Sequence, residues 1–341
     1  MPPRKTKLTD LAEATGLSTA TISRVLNGRD GVSEKAREAV LSALDQLGYE
    51  RPIKLTDKST QLVGLITPAL DNPIYPLFAQ ILSTALARHG LTPILCPVEF
   101  GGVTEDEYVN MLLDHQVAGI IFIAGHHADQ YSDKLRYQRL VLANIPIVLV
   151  NGYSSDIQAR FVSDDVAVGI TLALDHLAMF GHSKIGLVSG PPHLISMQRR
   201  IEAFTEIMTS RGHTAPEEYI TDSLMSVEGG QEAAGVLLDK GCTALLCASD
   251  HMALGAIWAA KSRKLSVPDD VSIVGYDDSS MIGFTHPALT TLRQSVFAMG
   301  HAIVSILDSE IRGDRTSRGA ELLFRPELVV RNSSGQVAKK L

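Results

Sequence analysis

The side chains best suited to read another molecule lie close together near the start of the chain. Arg24 carries a guanidinium whose paired donors match the acceptors on the major-groove edge of guanine. Thr21, Ser23 and Asn27 carry short polar groups that can donate hydrogen bonds to phosphate oxygens and so fix the register of a protein on a duplex. These four residues fall within seven positions. Their types and spacing indicate contact with DNA.

Two short helices joined by a glycine are predicted to position these side chains. The first helix has one apolar stripe, formed by Leu8, Leu11, Ala12 and Ala14. Gly16 ends it, and Ser18 begins the second helix because its hydroxyl can accept a hydrogen bond from a free amide of the first turn. The second helix turns Ile22, Val25 and Leu26 inward. Its outer face is therefore small or polar, consisting of Thr19, Ala20, Thr21, Ser23, Arg24 and Asn27.

A third helix, from Ser33 to about Leu47, is predicted to close a small core over the first two through Ala36, Val40, Leu44 and Leu47. The bare pattern is also that of an ordinary helical hairpin. Charge favours the DNA interpretation, because residues 1–58 hold ten Lys and Arg against eight Asp and Glu. Residues 59–341 hold twenty-one against thirty. A basic cluster of Arg4, Lys5 and Lys7 is suited to phosphate contacts.

Length and composition predict a protein of two or three domains. The 341 residues are too many for one compact core, and 45% hydrophobic with 20% charged residues is ordinary for a globular chain. No apolar run approaches the roughly eighteen residues that a membrane span needs, and no apolar signal segment follows the basic start, so a cytoplasmic protein is expected. Cys96, Cys242 and Cys247 form no Cys-x-x-Cys pair, which argues against a disulfide framework or a zinc site.

Beyond position 60, short apolar runs alternate with amphipathic segments. Seven runs have the continuous apolar character of strands buried on both faces, at 62–67, 93–96, 119–123, 146–150, 184–188, 244–248 and 271–275. Helical patterns lie between them, for example Phe78, Ile81, Leu82, Ala85 and Leu86. Repeated strand–helix–strand units predict parallel sheets, in which ligands bind beyond the carboxyl ends of the strands.

The segment Ala-Thr-Ile-Ser-Arg-Val-Leu-Asn at 20–27, followed by Val-Ser at 32–33 and Leu-Gly-Tyr at 47–49, resembles the DNA-binding domain of the lactose-repressor/galactose-repressor family. The resemblance implies a helix-turn-helix head at residues 1–49, which binds a pseudo-palindromic operator as part of a homodimer. The DNA-contacting residues that it implies are Lys5, Lys7, Thr9, Ser18, Thr19, Ala20, Thr21, Ser23, Arg24, Asn27, Ser33 and Leu55.

The resemblance continues through most of the chain. Segments that look like the effector domain of that family lie at 63–75, 176–186, 248–255, 267–278, 289–294 and 326–331. The implied fold class is multidomain: an all-α helix-turn-helix head, then a two-lobed α/β effector domain resembling type I periplasmic sugar-binding proteins. A linker at 50–60 precedes an effector-binding and dimerisation domain at 61–335. Its first lobe is expected at about 61–162 and 293–323, and its second at about 163–292 and 324–335.

Ligand contacts transfer by the resemblance onto the matching positions, which are Asp71, Asn72, Tyr75, Asp164, Asp165, Arg200, Ser249, Asp277, Gln294 and Phe297. The set suits a polyol, because carboxylates accept hydrogen bonds from vicinal hydroxyls and an aromatic ring covers the C–H face of a sugar. The resemblance thus implies a repressor of carbohydrate-utilisation genes, controlled by a sugar or sugar derivative bound between the lobes. A regulator that depends on a purine or another corepressor is the alternative.

The linker departs from the family pattern. Only thirteen residues separate Tyr49 from Val63, and the Asn-Arg-x-x-Ala-Arg-x-Leu hinge helix of many relatives is missing, which leaves Leu55 to enter a minor groove. An enzyme is not expected, because there is no nucleophile–base pair and the neighbouring Asp277 and Asp278 rarely flank one bond. Neither a cofactor nor a metal is expected, since His126, His127, His176 and His182 lack the spacing of ligands.

Overall fold

The computed structural model describes residues 8–26, 32–47, 49, 61–314 and 319–337. These residues form a helical unit within residues 1–61 and a larger α/β unit within residues 62–341. The helices are α1 (Leu8–Thr15), α2 (Thr19–Leu26), α3 (Glu34–Gln46), α4 (Ile74–Arg88), α5 (Glu105–Asp114), α6 (Leu135–Leu142), α7 (Val166–Met179), α8 (Ile195–Ser210), α9 (Val227–Asp239), α10 (Asp250–Ser262) and α11 (Val296–Ile311). The strands are β1 (Gln61–Pro68), β2 (Leu91–Val98), β3 (Gly119–Ile123), β4 (Ile147–Val150), β5 (Arg160–Asp164), β6 (Ile185–Ser189), β7 (Ile220–Asp222), β8 (Ala244–Cys247), β9 (Ser272–Tyr276), β10 (Thr290–Arg293), β11 (Glu321–Phe324) and β12 (Glu327–Val329).

The helical unit has the predicted turn and cap. Gly16 adopts a left-handed φ of +68°, and its amide donates to the Ala12 carbonyl at 2.9 Å, which ends α1. The Ser18 Oγ accepts a hydrogen bond from the Thr21 amide at 3.1 Å, which begins α2. The side chains buried completely in the core of this unit are Leu11, Ile22, Val25, Val40 and Leu44.

Three positions predicted for that core are wrong. Leu8 is 38% exposed, Leu47 is 40% exposed, and Ala14 is also exposed. Because α1 has only eight residues, Leu11 is the position of that helix that reaches the centre of the core. Tyr49 packs there instead, and its hydroxyl donates to the Asp10 carboxylate at 2.5 Å.

Two six-stranded sheets form the α/β unit. The first has the order β11-β5-β4-β3-β1-β2, and the second has the order β12-β10-β9-β8-β6-β7. We call the part built on each sheet the first and the second lobe. Neighbouring strands such as β1–β3, β3–β4, β6–β8 and β8–β9 pair in parallel, whereas β10 and β12 pair antiparallel. The predicted fold class, a helix-turn-helix head followed by a two-lobed α/β domain, is confirmed.

The chain crosses between the lobes three times, after β5, after β10 and after β11. Ser163 and Asp164 pair with Leu323 and Phe324 in the first sheet, although three of these residues were predicted for the second lobe. Arg293 pairs with Glu327 in the second sheet, and not with the first lobe as predicted. The strands thus run to their full paired length before the chain crosses.

Helices cover the sheets, so the central strands are buried along their whole length, as the apolar runs predicted. All residues of β3, β4, β6, β8 and β9 are buried. In the first lobe, α4 packs beside α11, and α5 and α6 contribute to a core with Ile66, Phe122 and Phe161. In the second lobe, α9 packs beside α10, and α7 packs beside α8. These layers fix the strand ends at which polar side chains gather.

Candidate functional site between the two lobes

Residues at and just after the carboxyl ends of strands from both sheets enclose a cavity of about 260 Å³, which we call the cleft. The first lobe contributes residues at or after the ends of β1, β3, β4 and β5. The second lobe contributes residues that follow β6, β7, β8, β9 and β10. The polar residues that line the cleft are Asn72, Tyr75, Asn151, Asp164, Ser196, Arg200, Asp277 and Gln294. This edge is where open parallel sheets bind ligands.

Three strand-end turns at the cleft hold a non-glycine residue at positive φ. Ala124 follows β3 with φ +49°, Asn151 follows β4 with φ +56°, and Asp277 follows β9 with φ +113°. A left-handed backbone costs a residue with a Cβ about 1–2 kcal/mol. Such strain persists where the surrounding structure enforces it, which is frequent at binding sites.

Asp277 is the most perturbed carboxylate of the cleft. It is 6% exposed, and its Oδ1 accepts a hydrogen bond from Gln294 Nε2 at 2.6 Å. Burial and, to a smaller extent, the charge of Asp250 raise its pKa to about 7, although Arg200 and the side-chain amides of Gln294 and Asn72 oppose the rise. At neutral pH this carboxyl is therefore partly protonated, and a ligand that favours one protonation state changes its proton occupancy on binding.

Arg200 and Asp164 lie on the same wall, around the ring of Tyr276. The guanidinium carbon of Arg200 lies 3.8 Å from the centre of the Tyr276 ring, and its Nη1 donates to the Ala248 carbonyl. The Tyr276 hydroxyl donates to Asp164 Oδ2, which links the second lobe to the first. Burial raises the pKa of Asp164 to about 6, although this hydrogen bond and the Arg200 charge lower it.

Part of this polar wall is unsatisfied. Within the described part of the chain, Asp164 Oδ1, Arg200 Nε and Gln294 Oε1 are buried and have no hydrogen-bond partner. Buried polar atoms that lack a partner are uncommon, because each costs about 1–3 kcal/mol. All three residues line the cleft, and their two acceptors and one donor match a ligand that carries hydroxyl groups.

Four residues predicted as ligand contacts lie elsewhere. The exposed Asp71 carboxylate accepts from the Asn72 amide at 2.9 Å, and Asp165 caps α7 by accepting from the Val168 amide. Ser249 is buried beneath the wall, where its hydroxyl caps α10. Phe297 is 67% exposed on α11, beside His301 and away from the cleft, because the neighbouring Val296 takes the buried position.

Sequence reasoning missed the apolar part of the lining. It consists of Pro68, Ile74, Phe78, Ala124, Ala128, Val166, Leu194, Met197, Met225 and Ala248, and Ser196 and Asn151 add unpredicted polar atoms. Asn151 stands directly after an apolar run that was predicted as a strand, which is the signal that would have found it. The others come from loops and helix starts that no strand pattern marks.

A larger cavity, of about 420 Å³, lies between α5 and α6 on the first lobe. Its Arg136 already binds Glu105 at 2.9 Å and the Asp106 carboxylate, so this cation is neutralised by two carboxylates. In the ranges that the structure describes, no three His, Cys, Asp or Glu side chains are grouped to hold a metal ion. None of the helices that the structure describes is both long and apolar enough to cross a membrane.

In the head, the structure leaves a small and polar surface on α2. Ser18, Thr19, Ala20 and Arg24 are exposed, and Thr21 and Ser23 are partly exposed. Thr9 and Ser33 are exposed at the starts of α1 and α3. Lys5, Lys7, Asn27 and Leu55, together with the linker at 50–60, lie outside the described residues.

Comparison with known proteins finds relatives for both the helical unit and the α/β unit. Residues 7–51 match the family model for bacterial regulatory proteins of the lacI family, and residues 174–334 match that of a periplasmic binding protein-like domain. Over 334 residues, the chain is 50% identical to the HTH-type transcriptional regulator reg1 of Streptomyces lividans, covering 96% of each protein. A structure of the transcriptional regulator CelR with cellobiose is 27% identical, with a TM-score of 0.71 over 96% of this chain and 100% of CelR. The lac repressor dimer bound to operator and the anti-inducer ONPF is 26% identical, with a TM-score of 0.68 over 97% and 100%.

Proposed function

Because the chain belongs to the lacI family of bacterial regulatory proteins, we propose that it represses carbohydrate-utilisation genes and that a neutral sugar in the cleft relieves this repression. The chain is a DNA-binding transcriptional regulator and not an enzyme. The proposal adds the sign of regulation, the class of effector and the residues of each contact.

The observation that carries the proposal is a set of buried, unpartnered atoms on residues that line the cleft: Asp164 Oδ1, Arg200 Nε and Gln294 Oε1. A sugar supplies what they lack, since each hydroxyl can both donate and accept. Apolar residues beside them, including Phe78 and Met197, suit the C–H faces of a sugar ring.

Charge favours a neutral ligand. Among the described residues of the cleft wall, Arg200 is the only cation, and it faces the two carboxylates Asp164 and Asp277. A phosphate would add negative charge beside those carboxylates without a second cation to balance it. We therefore expect an unphosphorylated sugar, with cellobiose, the ligand of the CelR structure, as the first compound to try.

The DNA side of the proposal rests on α2. We assign its exposed Arg24 to contact with a base, and Thr21 and Ser23 to contact with phosphates. Asn27, which lies outside the described residues, is also assigned to a phosphate. A homodimer, as in the lac repressor structure, would place two such helices on a pseudo-palindromic operator. Such a protein acts on the chromosome, so we assign it to the cytoplasm.

The test measures ligand and DNA together on the full chain. Thermal unfolding is recorded with cellobiose, other neutral sugars, sugar phosphates and purines, because a ligand at 100 times its Kd adds about 2.7 kcal/mol to the folded state. Duplexes selected by the protein from a random-sequence pool then serve as operator. We expect a neutral sugar to raise the unfolding midpoint and to weaken operator binding.

Each other outcome corrects a specific part of the proposal. Stabilisation by a purine alone would replace the sugar with a corepressor, and stabilisation by a sugar phosphate would overturn the charge argument. A neutral sugar that tightens operator binding would reverse the sign of regulation.

A further inference from the structure

The start of α8 contacts the cleft and the opposite lobe within five consecutive residues. Ser196, Met197 and Arg200 line the cleft. The two residues between them, Gln198 and Arg199, bind residues of the first lobe. Successive residues of a helix point about 100° apart, so the side chains of one turn can contact both a ligand in the cleft and the first lobe.

Arg199 forms a two-point ion pair with Glu321 on β11 of the first lobe. Its Nη1 and Nη2 donate to the two carboxylate oxygens at 2.8 and 3.0 Å. The two side chains are only 30% and 15% exposed, so water screens this pair less than a fully exposed one. A planar fork on a planar carboxylate fixes orientation as well as distance, which a single point charge does not.

Gln198 makes the second contact, with the loop that follows β3 in the first lobe. Its Oε1 accepts from Gln130 Nε2 at 2.6 Å, and the Gln130 amide donates to the His193 carbonyl at 2.9 Å. Beside them the rings of Tyr131 and His193 stack with centres 5.8 Å apart. Two separate elements of the first lobe, β11 and the loop after β3, therefore contact one turn of the second lobe.

The first-lobe side of this contact is rigidly braced. The Lys134 ammonium donates to the carbonyls of His126, His127 and Asp129, which fixes the loop from within. The buried Glu105 carboxylate accepts from the His126 amide at 2.9 Å. Because the same loop places Ala128 on the cleft wall, a change in lobe spacing alters the cleft and these contacts together.

We propose that Gln198 and Arg199 are positioning residues that hold the two lobes closed, and that they transmit occupancy of the Arg200 site to lobe spacing. The inference rests on the proposed function for the ligand step, since a switch needs a ligand in the cleft. Without ligand, the two contacts set the closed fraction together with the hydrogen bond from Tyr276 to Asp164, which also joins the lobes. With ligand, the anchored Arg200 keeps α8 in place, so that both contacts form more often.

The test is a distance between the lobes that needs no ligand. Leu142→Cys on α6 and Met179→Cys on α7 place spin labels at side chains that are 81% and 86% exposed. The three native cysteines are buried and do not compete for label. Labelled chains are diluted with unlabelled ones so that each measured pair lies within one chain, and pulsed electron resonance reads the distance distribution.

In this background we expect Arg199→Ala to shift the distribution toward longer distances, with the closed-to-open ratio falling by up to about fivefold. Glu321→Gln should do the same, and Gln130→Ala should act in the same direction. Exchanging the charges, with Arg199→Glu and Glu321→Arg together, should restore the closed distance. A purely structural role would not predict that rescue.

The chain offers matched controls. Arg263 binds Asp239 with two hydrogen bonds of 2.8 Å inside the second lobe, and Gln138 donates to the Asp156 carbonyl inside the first. Arg263→Ala and Gln138→Ala should leave the distribution unchanged. If Arg199→Ala and Glu321→Gln also leave it unchanged, the inference fails. If no sugar changes the unfolding of the parent protein, the proposed function fails while this measurement in the empty protein still stands.

Discussion

Replacing Asp277 by Asn tests whether the buried carboxylate of this residue lowers the free energy of unfolding. The fold raises the pKa of this group from 3.8 to about 7, chiefly by burial. The folded protein therefore holds a proton that the unfolded chain releases between these two values. By proton linkage, the carboxyl destabilises the fold. This destabilisation is small below about pH 4 and grows as the pH rises toward 7.

The magnitude follows from the same values. A difference of about three pKa units, at 1.36 kcal/mol per unit, corresponds to about 4 kcal/mol above pH 7. Because the buried Asn side chain still carries part of the cost of burying a polar group, we expect Asp277→Asn to recover about 2–4 kcal/mol. For an effector domain of this size, that gain raises the unfolding midpoint by about 3–7 °C at pH 8. At pH 4.5 the gain is below about 1 kcal/mol.

The assay is thermal unfolding of parent and variant between pH 4.5 and 8, and the quantity that decides is the difference between them at each pH. This difference removes the opposing contribution of groups such as His127, whose pKa burial lowers to about 4 and which therefore stabilises the fold as pH rises. Asp278→Asn is the control, because Asp278 pairs with Arg293 at 2.7 Å and with Arg331 at 2.6 Å. It should lower the midpoint at pH 8. A pH-independent difference, or a less stable Asp277→Asn variant at pH 8, would refute the reasoning.

Four further outcomes follow from the same structure. Arg24→Ala should cost about 1–3 kcal/mol on the selected operator and relax base preference, which binding to single-base variants of that operator measures. Arg200→Ala should weaken the sugar about 100-fold, because a charged donor is lost, and leave operator affinity intact, as read by calorimetry and gel shift. Ala124→Gly should raise the free energy of unfolding by about 0.5–1 kcal/mol by relieving its φ of +49°, whereas Ala143→Gly, with φ −74°, should lower it. Sugar binding near pH 6.5 should release up to about one proton, because hydroxyl donors favour ionised Asp277; heats measured in buffers of different ionisation enthalpy reveal this, and proton uptake would contradict it.

The parts of the fold that the sequence predicted are those with a local physical signal. The Gly16 turn and the Ser18 cap depend on one or two residues each, and both were found. The strands β3, β4, β6, β8 and β9 were found because they are apolar on both faces. The interior strands β5 and β10 were missed, because Arg160, Ser163, Asp164, Thr290, Thr291 and Arg293 interrupt their apolar character. By contrast, β7 and β11 are short edge strands with partly exposed residues. The sequence of β7 has one apolar residue and that of β11 has three in a row, which is too short a run to predict a strand.

The ligand residues were harder to predict, because a shift of one position changes where a side chain points. Phe297 follows the buried Val296 on α11, and one residue turns a helix by about 100°, which puts the phenyl ring outside. Asp165 caps α7 whereas Asp164 lines the cleft, and both Asp residues matched the pattern equally well. Ser249 caps a helix with a side chain too short to reach past Ala248 on the wall.

The cleft gathers the features that a stable core avoids: residues at positive φ, polar atoms without partners, and carboxyls whose pKa burial raises. Each of these lowers the stability of the empty protein, and a ligand that satisfies them returns that free energy by binding only the folded state. Stability and occupancy are therefore linked at the same residues. It follows that substitutions which stabilise the empty protein at Asp277 should weaken the sugar, whereas stabilising changes at Ala124, where only the backbone is strained, should leave sugar affinity unchanged.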